Sequence, residues 1–148
     1  MRIPANVWGY ATLRLAMGMS MLIHGVARIG HIPAFAETMA KQFTPSILPA
    51  SAVIVFAWMT PPVELFIGAL ILVGLWTRLG LVLGGAWMVV LIFGSALIEN
   101  YNAVGIQLLY SLIFFHLLQH VQLNALSLDR FVFPKTPSAS NGSPRGDL

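Results

Sequence analysis

Charged and titratable residues lie inside the apolar segments of this sequence, where each of them would need a partner. Glu64 stands near the middle of a long apolar run, close behind Pro61 and Pro62. An acidic side chain at the centre of a bilayer costs about 3 kcal/mol on insertion scales, and such residues usually face a partner inside the protein. Arg14 and His116 lie in two other apolar segments. These residue types indicate a buried ion pair.

Depth along the helices predicts which of these side chains meet. If each apolar segment is centred on the membrane and rises about 1.5 Å per residue, Glu64 lies close to the midplane. On the same basis Arg14 lies about 6 Å, and His116 about 4 Å, toward the side of the chain termini. We therefore predict an Arg14–Glu64 pair, with His116 as a candidate third member. The pair has two interpretations, a structural one that fixes helix register and a functional one.

A second polar group lies at the far end of the first apolar segment. His24 and Arg28 are four residues apart, so a helix places them on one face, roughly 15 Å or more from Arg14 along the axis. Gly25, between them, lets another helix or a flat ligand come close. His24, Arg28 and Gly25 are therefore a candidate ligand site. The alternative for His24 is a simple hydrogen bond near the membrane interface.

The histidines do not predict a metal centre. His116 and His120 have the spacing that haem or metal ligands can have, but His120 lies near a helix end, where it can face lipid headgroups. His24 and His116 differ in depth by about 13 Å, which is too far to ligate one ion. The sequence contains no cysteine, which excludes thiol chemistry and cysteine-ligated clusters. We predict no metal and no intrinsic cofactor.

Composition identifies the kind of protein that must position these residues. Hydrophobic residues make up 57% of the 148 residues and charged residues only 9%, whereas about a quarter of a soluble domain is charged. The chain therefore reads as an integral membrane protein of one domain, whose main partner is the lipid bilayer. The net charge of +3 reflects membrane topology, and we expect no nucleic-acid partner.

Apolar segments of about 20 residues or more predict an all-α transmembrane domain over residues 1–133. Such lengths cross a bilayer core of about 30 Å, and helices satisfy their own backbone in lipid. Very short connections near residues 76–78 and 99–102 force antiparallel neighbours, which predicts a four-helix up-down bundle. A short amphipathic helix is expected within residues 34–43. The four predicted spans are about 7–29, 52–76, 79–98 and 104–123.

The distribution of basic residues predicts the orientation of the bundle. More Lys and Arg residues lie at the end that carries the chain termini than at the opposite end, so both termini are expected in the cytoplasm. Residues 134–148 are rich in Pro, Ser, Gly and Asn, which predicts a disordered cytoplasmic tail. The residues used are Arg2, Arg78, Arg130 and Lys135 on the side of the termini, and Arg28, Glu37, Lys41 and Glu99 on the other side.

Three sequence motifs resemble those of the DoxX/DoxD family of small bacterial membrane proteins. Residues 14–18 and 24–28 resemble the first-helix pattern of that family. Residues 64–78 resemble its second-helix pattern, in which a Glu is followed by a Gly-rich run and a Gly-x-x-Thr-Arg turn. Ser127-Leu128-Asp129 resembles the Ser-Leu-Asp that often follows the fourth helix. The resemblance covers residues 11–130, or nearly all of the apolar part.

The resemblance implies a four-helix, multi-pass protein of the bacterial inner membrane that serves as a membrane subunit of a quinone-linked or redox-associated complex. It implies that His24 and Arg28 donate hydrogen bonds to a quinone carbonyl and that Glu64 relays a proton. The sequence shows no flavin, haem or iron–sulfur motif, so electrons would come from a partner subunit. Gln107 stands where the family often has an acidic residue, which weakens a proton path through the fourth helix.

Two other functions fit the same residues. The first is a non-catalytic accessory subunit that anchors or stabilises a larger membrane complex, because small residues suit contacts between helices. The second is a small transporter or channel with Glu64 as its coupling site, for which four helices are few. The resemblance does not decide between an enzyme subunit and an accessory protein. The small residues in question are Gly68, Gly74, Gly80, Gly84 and Gly85.

Overall fold

The computed structural model of the protein describes residues 3–132, which form helices joined by short turns. Four of the helices are long, a shorter one follows the first of them, and the described part ends in a 3₁₀ turn and a single helical turn. In chain order the helices are α1 (Ala5–Ile29), α2 (Ile32–Gln42), α3 (Ala50–Val73), α4 (Thr77–Leu97) and α5 (Tyr101–Gln119), then the 3₁₀ turn Val121–Leu123 and α6 (Asp129–Val132).

Three helices, α3, α4 and α5, are each long and apolar enough to cross a membrane. The first helix, α1, meets the same criterion only together with α2, and the two are bent by 99° at the break between them. The protein therefore has three candidate spans, or four if the bent pair counts as one. The all-helical membrane class is confirmed, whereas the up-down bundle of four equivalent helices is not.

Glycines bring α1 and α3 into backbone contact. A Cβ atom on Gly18 would lie 2.6 Å from the backbone nitrogen of Leu72, and one on Gly68 would lie 2.4 Å from the backbone nitrogen of Leu22. Any larger residue at these positions would push the two backbones apart. The close approach is of the kind that small residues allow between membrane helices.

These contacts fix a staggered antiparallel register between α1 and α3. Gly68 lies opposite Leu22, and Gly25 lies against Leu65. Each residue forward along α1 therefore faces a position one residue earlier in α3. Extending that spacing, α1 ends opposite about residue 61, near the middle of α3. The N-terminal half of α3 is left uncovered by α1, and α2 packs against α3 instead.

We call the end of the molecule that carries the α3–α4 turn and residues 120–132 the proximal end, and the opposite end the distal end. The core lies between α1, α3, α4 and α5. There Gly84 of α4 makes room for the ring of Phe114 of α5, which a Cβ at that position would meet at 2.3 Å. The buried core residues are Tyr10, Met17, Met21, Ile67, Ile71, Leu81, Met88, Phe114 and Leu117.

The proximal end is held together by Asp129. Gly74 ends α3 in a left-handed conformation (φ 72°), and the chain turns at once into α4. The two carboxylate oxygens of Asp129 accept hydrogen bonds from the backbone N–H groups of Trp76 (2.6 Å) and Thr77 (2.9 Å). Asp129 thus caps the first turn of α4 from a distant part of the chain, and its charge complements the helix dipole.

Several helix limits differ from the predicted ones. The last long helix ends at Gln119, where a 3₁₀ turn follows. Within α3, Pro61 and Pro62 are tolerated, and the helix continues to Val73. A short helix was expected within residues 34–43, and α2 begins at Ile32 with a proline in its first turn, where proline is favoured. The predicted tail at 134–148 lies outside the described residues, as do Arg2 and Lys135.

Candidate functional site

The buried carboxylate of Glu64 pairs with Arg28. Arg28 Nη1 lies 2.5 Å from Glu64 Oε2, which makes a charge-assisted hydrogen bond. The Glu64 side chain is 4% exposed and that of Arg28 is 33% exposed. The guanidinium of Arg28 also lies over the ring of Phe35 in α2, 5.2 Å from its centroid, within the range of a cation–π interaction. Arg28, at the end of α1, therefore contacts both the middle of α3 and α2.

The predicted pair of Arg14 with Glu64 is not formed. The prediction assumed that both apolar segments are centred at the same depth, which put Glu64 opposite about residue 18 of α1. The glycine contacts between α1 and α3 put Glu64 opposite about residue 26 instead. The difference amounts to about 12 Å along the helix. Arg28, which was assigned to a separate polar group, is the cation that this register brings to Glu64.

Arg14 has a different set of partners. Its side chain is 2% exposed, and its guanidinium donates to the carbonyl oxygens of Ile71 (2.5 Å), Leu72 (2.9 Å) and Leu126 (2.8 Å). Ile71 and Leu72 belong to the last turn of α3, whose carbonyl groups lack donors within the helix and carry its negative dipole end. Arg14 therefore joins α1 to the end of α3 and to the segment after α5.

His116 joins neither polar group. Its side chain is exposed on α5, and its ring lies 4.4 Å from that of His120. His120 Nδ1 lies 2.9 Å from the carbonyl oxygen of His116. Over residues 3–132 no group of three or more His, Cys, Asp or Glu side chains is arranged to hold a metal ion.

A cavity of about 270 Å³ lies beside the Arg28–Glu64 pair in the distal half of the molecule; we call it the distal cavity. It occupies the space that α1 leaves open by ending near the middle of α3. The helices α1 to α5 all contribute to its lining, and α2 covers it with aromatic and apolar side chains. Its polar lining includes His24, Arg28, Thr60, Glu64, Ser95, Gln107 and Tyr110, and its aromatic lining includes Phe35, Phe43 and Phe56.

Hydrogen bonds hold the polar side chains of α5 in the distal cavity. Gln107 Nε2 donates to Ser95 Oγ at 2.9 Å, and the hydroxyl groups of Tyr110 and Ser20 are 2.9 Å apart. The carbonyl oxygen of the Gln107 side chain is buried and has no protein partner. A buried acceptor without a partner is costly, so this atom marks a place where a ligand or water can bind.

The predicted ligand residues separate into two roles. His24 and Arg28 both line the distal cavity. Gly25 is buried against Leu65 and the carbonyl oxygen of Pro61, so its small size serves the contact between α1 and α3. The sequence reasoning missed Tyr110, although Gln107 and Tyr110 stand three residues apart in an apolar helix, a spacing that predicts a shared polar face.

The fold and the site define a class: a small, multi-pass helical membrane protein with a buried ion pair beside a polar cavity. A family model described as Methylamine utilisation protein MauE matches residues 6–115, which include the Arg28–Glu64 pair and the polar residues of the distal cavity. The chain belongs to the MauE family. The expected DoxX/DoxD family is not confirmed, because its model gives no match. No curated protein and no solved structure matches the chain.

Proposed function

We propose that this chain is a membrane subunit of a redox-associated complex and that its distal cavity binds a quinone. The observation that carries the proposal is a salt-bridged carboxylate, Glu64, that lines a cavity in the membrane region together with several hydrogen-bond donors. The family name supports the redox association, because methylamine used as an energy source must be oxidised and its electrons need an acceptor.

The residues of the distal cavity suit a quinone head group. A quinone ring presents two carbonyl oxygens on opposite sides and two apolar faces. His24 and Arg28 on α1, and the hydroxyl of Tyr110 on α5, are donors from two sides of the cavity, while Phe35 and Phe56 supply ring surfaces. A volume of about 270 Å³ accommodates a single ring, with an isoprenoid tail extending into lipid. Ligand sites of this type are mostly apolar, with a few placed polar groups.

The proton chemistry falls to Glu64. Reduction of a quinone to a quinol takes up two electrons and two protons, and Glu64 is the acidic residue in the cavity lining. Arg28 holds the carboxylate in place through its hydrogen bond, so that Glu64 is positioned to accept a proton and pass it on. The carbonyl oxygen of the Gln107 side chain, which has no protein partner, can accept a hydrogen bond from the quinol hydroxyl. The electrons come from a partner subunit.

The location and orientation of the chain in the membrane determine how a quinone reaches the cavity. The chain lies in a bacterial inner membrane with both termini in the cytoplasm, so the distal cavity faces the outer leaflet. A quinone would then reach the site from the lipid of that leaflet, past α2.

Titration of the purified protein with a short-chain quinone analogue tests the proposal. Calorimetry should detect binding by the wild-type chain and a loss of affinity of at least about ten-fold in a His24→Ala, Arg28→Ala double variant, since two hydrogen bonds to the ligand are removed. The matched control is the His116→Ala, His120→Ala double variant, whose residues lie outside the distal cavity. Equal binding by the wild type and the His24, Arg28 variant would overturn the assignment.

A non-catalytic accessory subunit is the second candidate. It is favoured by the surface of α5. Only Phe114 and Leu117 of this helix are buried, and its other large apolar side chains, such as Leu112 and Phe115, are exposed. The glycines Gly68, Gly80 and Gly84 no longer support it, because they pack against other helices of the same chain. Extraction from native membranes in a mild detergent separates the two candidates. Quinone that co-purifies with the wild-type chain and its partners, and that is lost from the His24→Ala, Arg28→Ala variant, contradicts a purely accessory role.

A further inference from the structure

The proximal end contains a buried cation without an acidic partner. Arg14 is 2% exposed, and its three hydrogen bonds all run to neutral carbonyl oxygens. Within residues 3–132 the ion pairs are Arg28–Glu64 and Lys41–Glu37, and neither involves Arg14. The Nε–H of Arg14 is buried and donates to no protein atom. A buried charge is costly unless it is paired, so the charge of Arg14 is only partly compensated.

Asp129, an acidic residue at the same end of the molecule, forms its hydrogen bonds with other groups. Both carboxylate oxygens of Asp129 accept hydrogen bonds from backbone N–H groups at the start of α4, and Asn124 Nδ2 lies 3.4 Å from one of them. Asp129 also does not line the space beside Arg14. Within residues 3–132, therefore, no carboxylate forms a direct ion pair with Arg14.

A groove of about 750 Å³ lies beside Arg14; we call it the proximal groove. Its polar groups include Arg14 at the floor and Thr12 and Arg130 at the surface, and Arg130 is exposed. Its apolar walls include Leu15 and Val73, which are 44% and 47% exposed. The groove thus combines two cations with an apolar surface that continues onto the faces of α1 and α3.

The position of the groove selects a lipid over a dissolved anion. It lies where α3 ends, and its rim carries Trp8 and Phe131, which are 54% and 80% exposed. Exposed aromatic side chains at the end of a spanning helix are typical of the headgroup level of a membrane. A phosphate at Arg130 would have its acyl chains beside Leu15 and Val73. A dissolved phosphate would leave those walls uncovered.

From this combination we propose that the proximal groove binds an anionic glycerophospholipid. Arg130 donates directly to the lipid phosphate, and Arg14 attracts it from below through the part of its charge that the carbonyl oxygens leave uncompensated. Leu15 and Val73 contact the acyl chains. This site is separate from the distal cavity and does not depend on the quinone proposal.

Native mass spectrometry of the purified full-length protein in detergent, titrated with phosphatidylglycerol, tests the site. The wild-type chain should retain one lipid molecule, and phosphatidylcholine should bind more weakly. Arg130→Gln should weaken phosphatidylglycerol binding about five-fold, as expected for one basic residue near an anionic lipid. Thr12→Trp, which fills the groove from an exposed position, should also reduce the retained lipid.

Arg78→Gln is the matched control, because Arg78 is exposed at the same end of the molecule but lines a different surface, with Trp76 and Asp129. It should leave the retained lipid unchanged. The proposal is overturned if Arg78→Gln and Arg130→Gln weaken binding equally, because surface charge would then explain the effect. Equal retention of phosphatidylcholine, or displacement of the lipid by the same concentration of inorganic phosphate, would also overturn it.

Discussion

Arg28 and Glu64, 36 positions apart in the sequence, form a 2.5 Å ion pair because α1 ends opposite the middle of α3. The pair is unequal, since Glu64 is enclosed while about a third of the Arg28 side chain is exposed. Loss of the arginine would leave a buried carboxylate without a counter-charge. Loss of the carboxylate would leave a cation that can still reach the surface of the cavity.

This inequality predicts different costs for the two truncations. Arg28→Ala should lower the free energy of unfolding by about 3 kcal/mol, the scale for breaking a buried ion pair, and Glu64→Gln by clearly less. Thermal unfolding in detergent measures both. A double-mutant cycle with both changes should give a coupling energy above about 1 kcal/mol. Additive effects would contradict direct pairing.

The contact between α1 and α3 predicts that alanine is tolerated less well at Gly68, which lies in this contact, than at Gly85 of α4, which does not. Gly68→Ala would place a Cβ 2.4 Å from the backbone nitrogen of Leu22, so we expect a loss of about 1–3 kcal/mol, as for overpacking. Gly85→Ala would place its Cβ 3.9 Å from Phe114 Cβ. It should be neutral or slightly stabilising, because alanine favours helix. The melting temperatures of the two variants are compared in one detergent. Equal destabilisation would contradict the register that the structure gives for α1 and α3.

The cap on α4 predicts local opening of the proximal end when it is removed. Asp129→Ala leaves the N–H groups of Trp76 and Thr77 without their carboxylate acceptor and should cost about 1–2 kcal/mol. Hydrogen exchange should accelerate at these two amides. The control is Glu37→Ala, which breaks the exposed pair with Lys41 and should leave the exchange at Trp76 and Thr77 unchanged, because solvent screens such a pair. Unchanged exchange at Trp76 and Thr77 would exclude the cap.

The closing of the distal cavity by α2 predicts an effect on ligand affinity. Phe35→Ala removes the ring under Arg28 and one wall of the cavity, so binding of a quinone analogue should weaken about five-fold, the scale of one aromatic contact with the ligand. Thr38→Ala changes the exposed face of the same helix and should leave the affinity unchanged. An equal effect of both substitutions would mean that α2 does not contact the ligand.

The sequence was sufficient for the class of protein and for naming the polar residues that matter. The apolar segments predict a helical membrane protein, and Arg14, Arg28 and Glu64 all stand out because charges in such segments need partners. The partners themselves were assigned wrongly. Segment length sets how far a helix reaches, but it does not set how two helices slide past each other.

Information on the register was present but incomplete. Gly18 and Gly25 lie seven residues apart on one face of α1, which indicates a close helix contact, yet nothing in α1 says that Gly68 of α3 approaches Leu22. Asp129 was noticed only as part of a motif. Its role depends on the return of the chain to the start of α4, which is a property of the tertiary structure.

The bend of 99° between α1 and α2 determines where the molecule has open space for a ligand. In the proximal half, packed side chains and the Arg14 hydrogen bonds fill the space between the helices, whereas the distal half has an open volume reached past α2. Over residues 3–132, therefore, the open volume beside Glu64 lies in one half of the molecule, and core side chains fill the other half. Such an arrangement is typical of a binding chamber, in which a ligand enters and leaves on the same side.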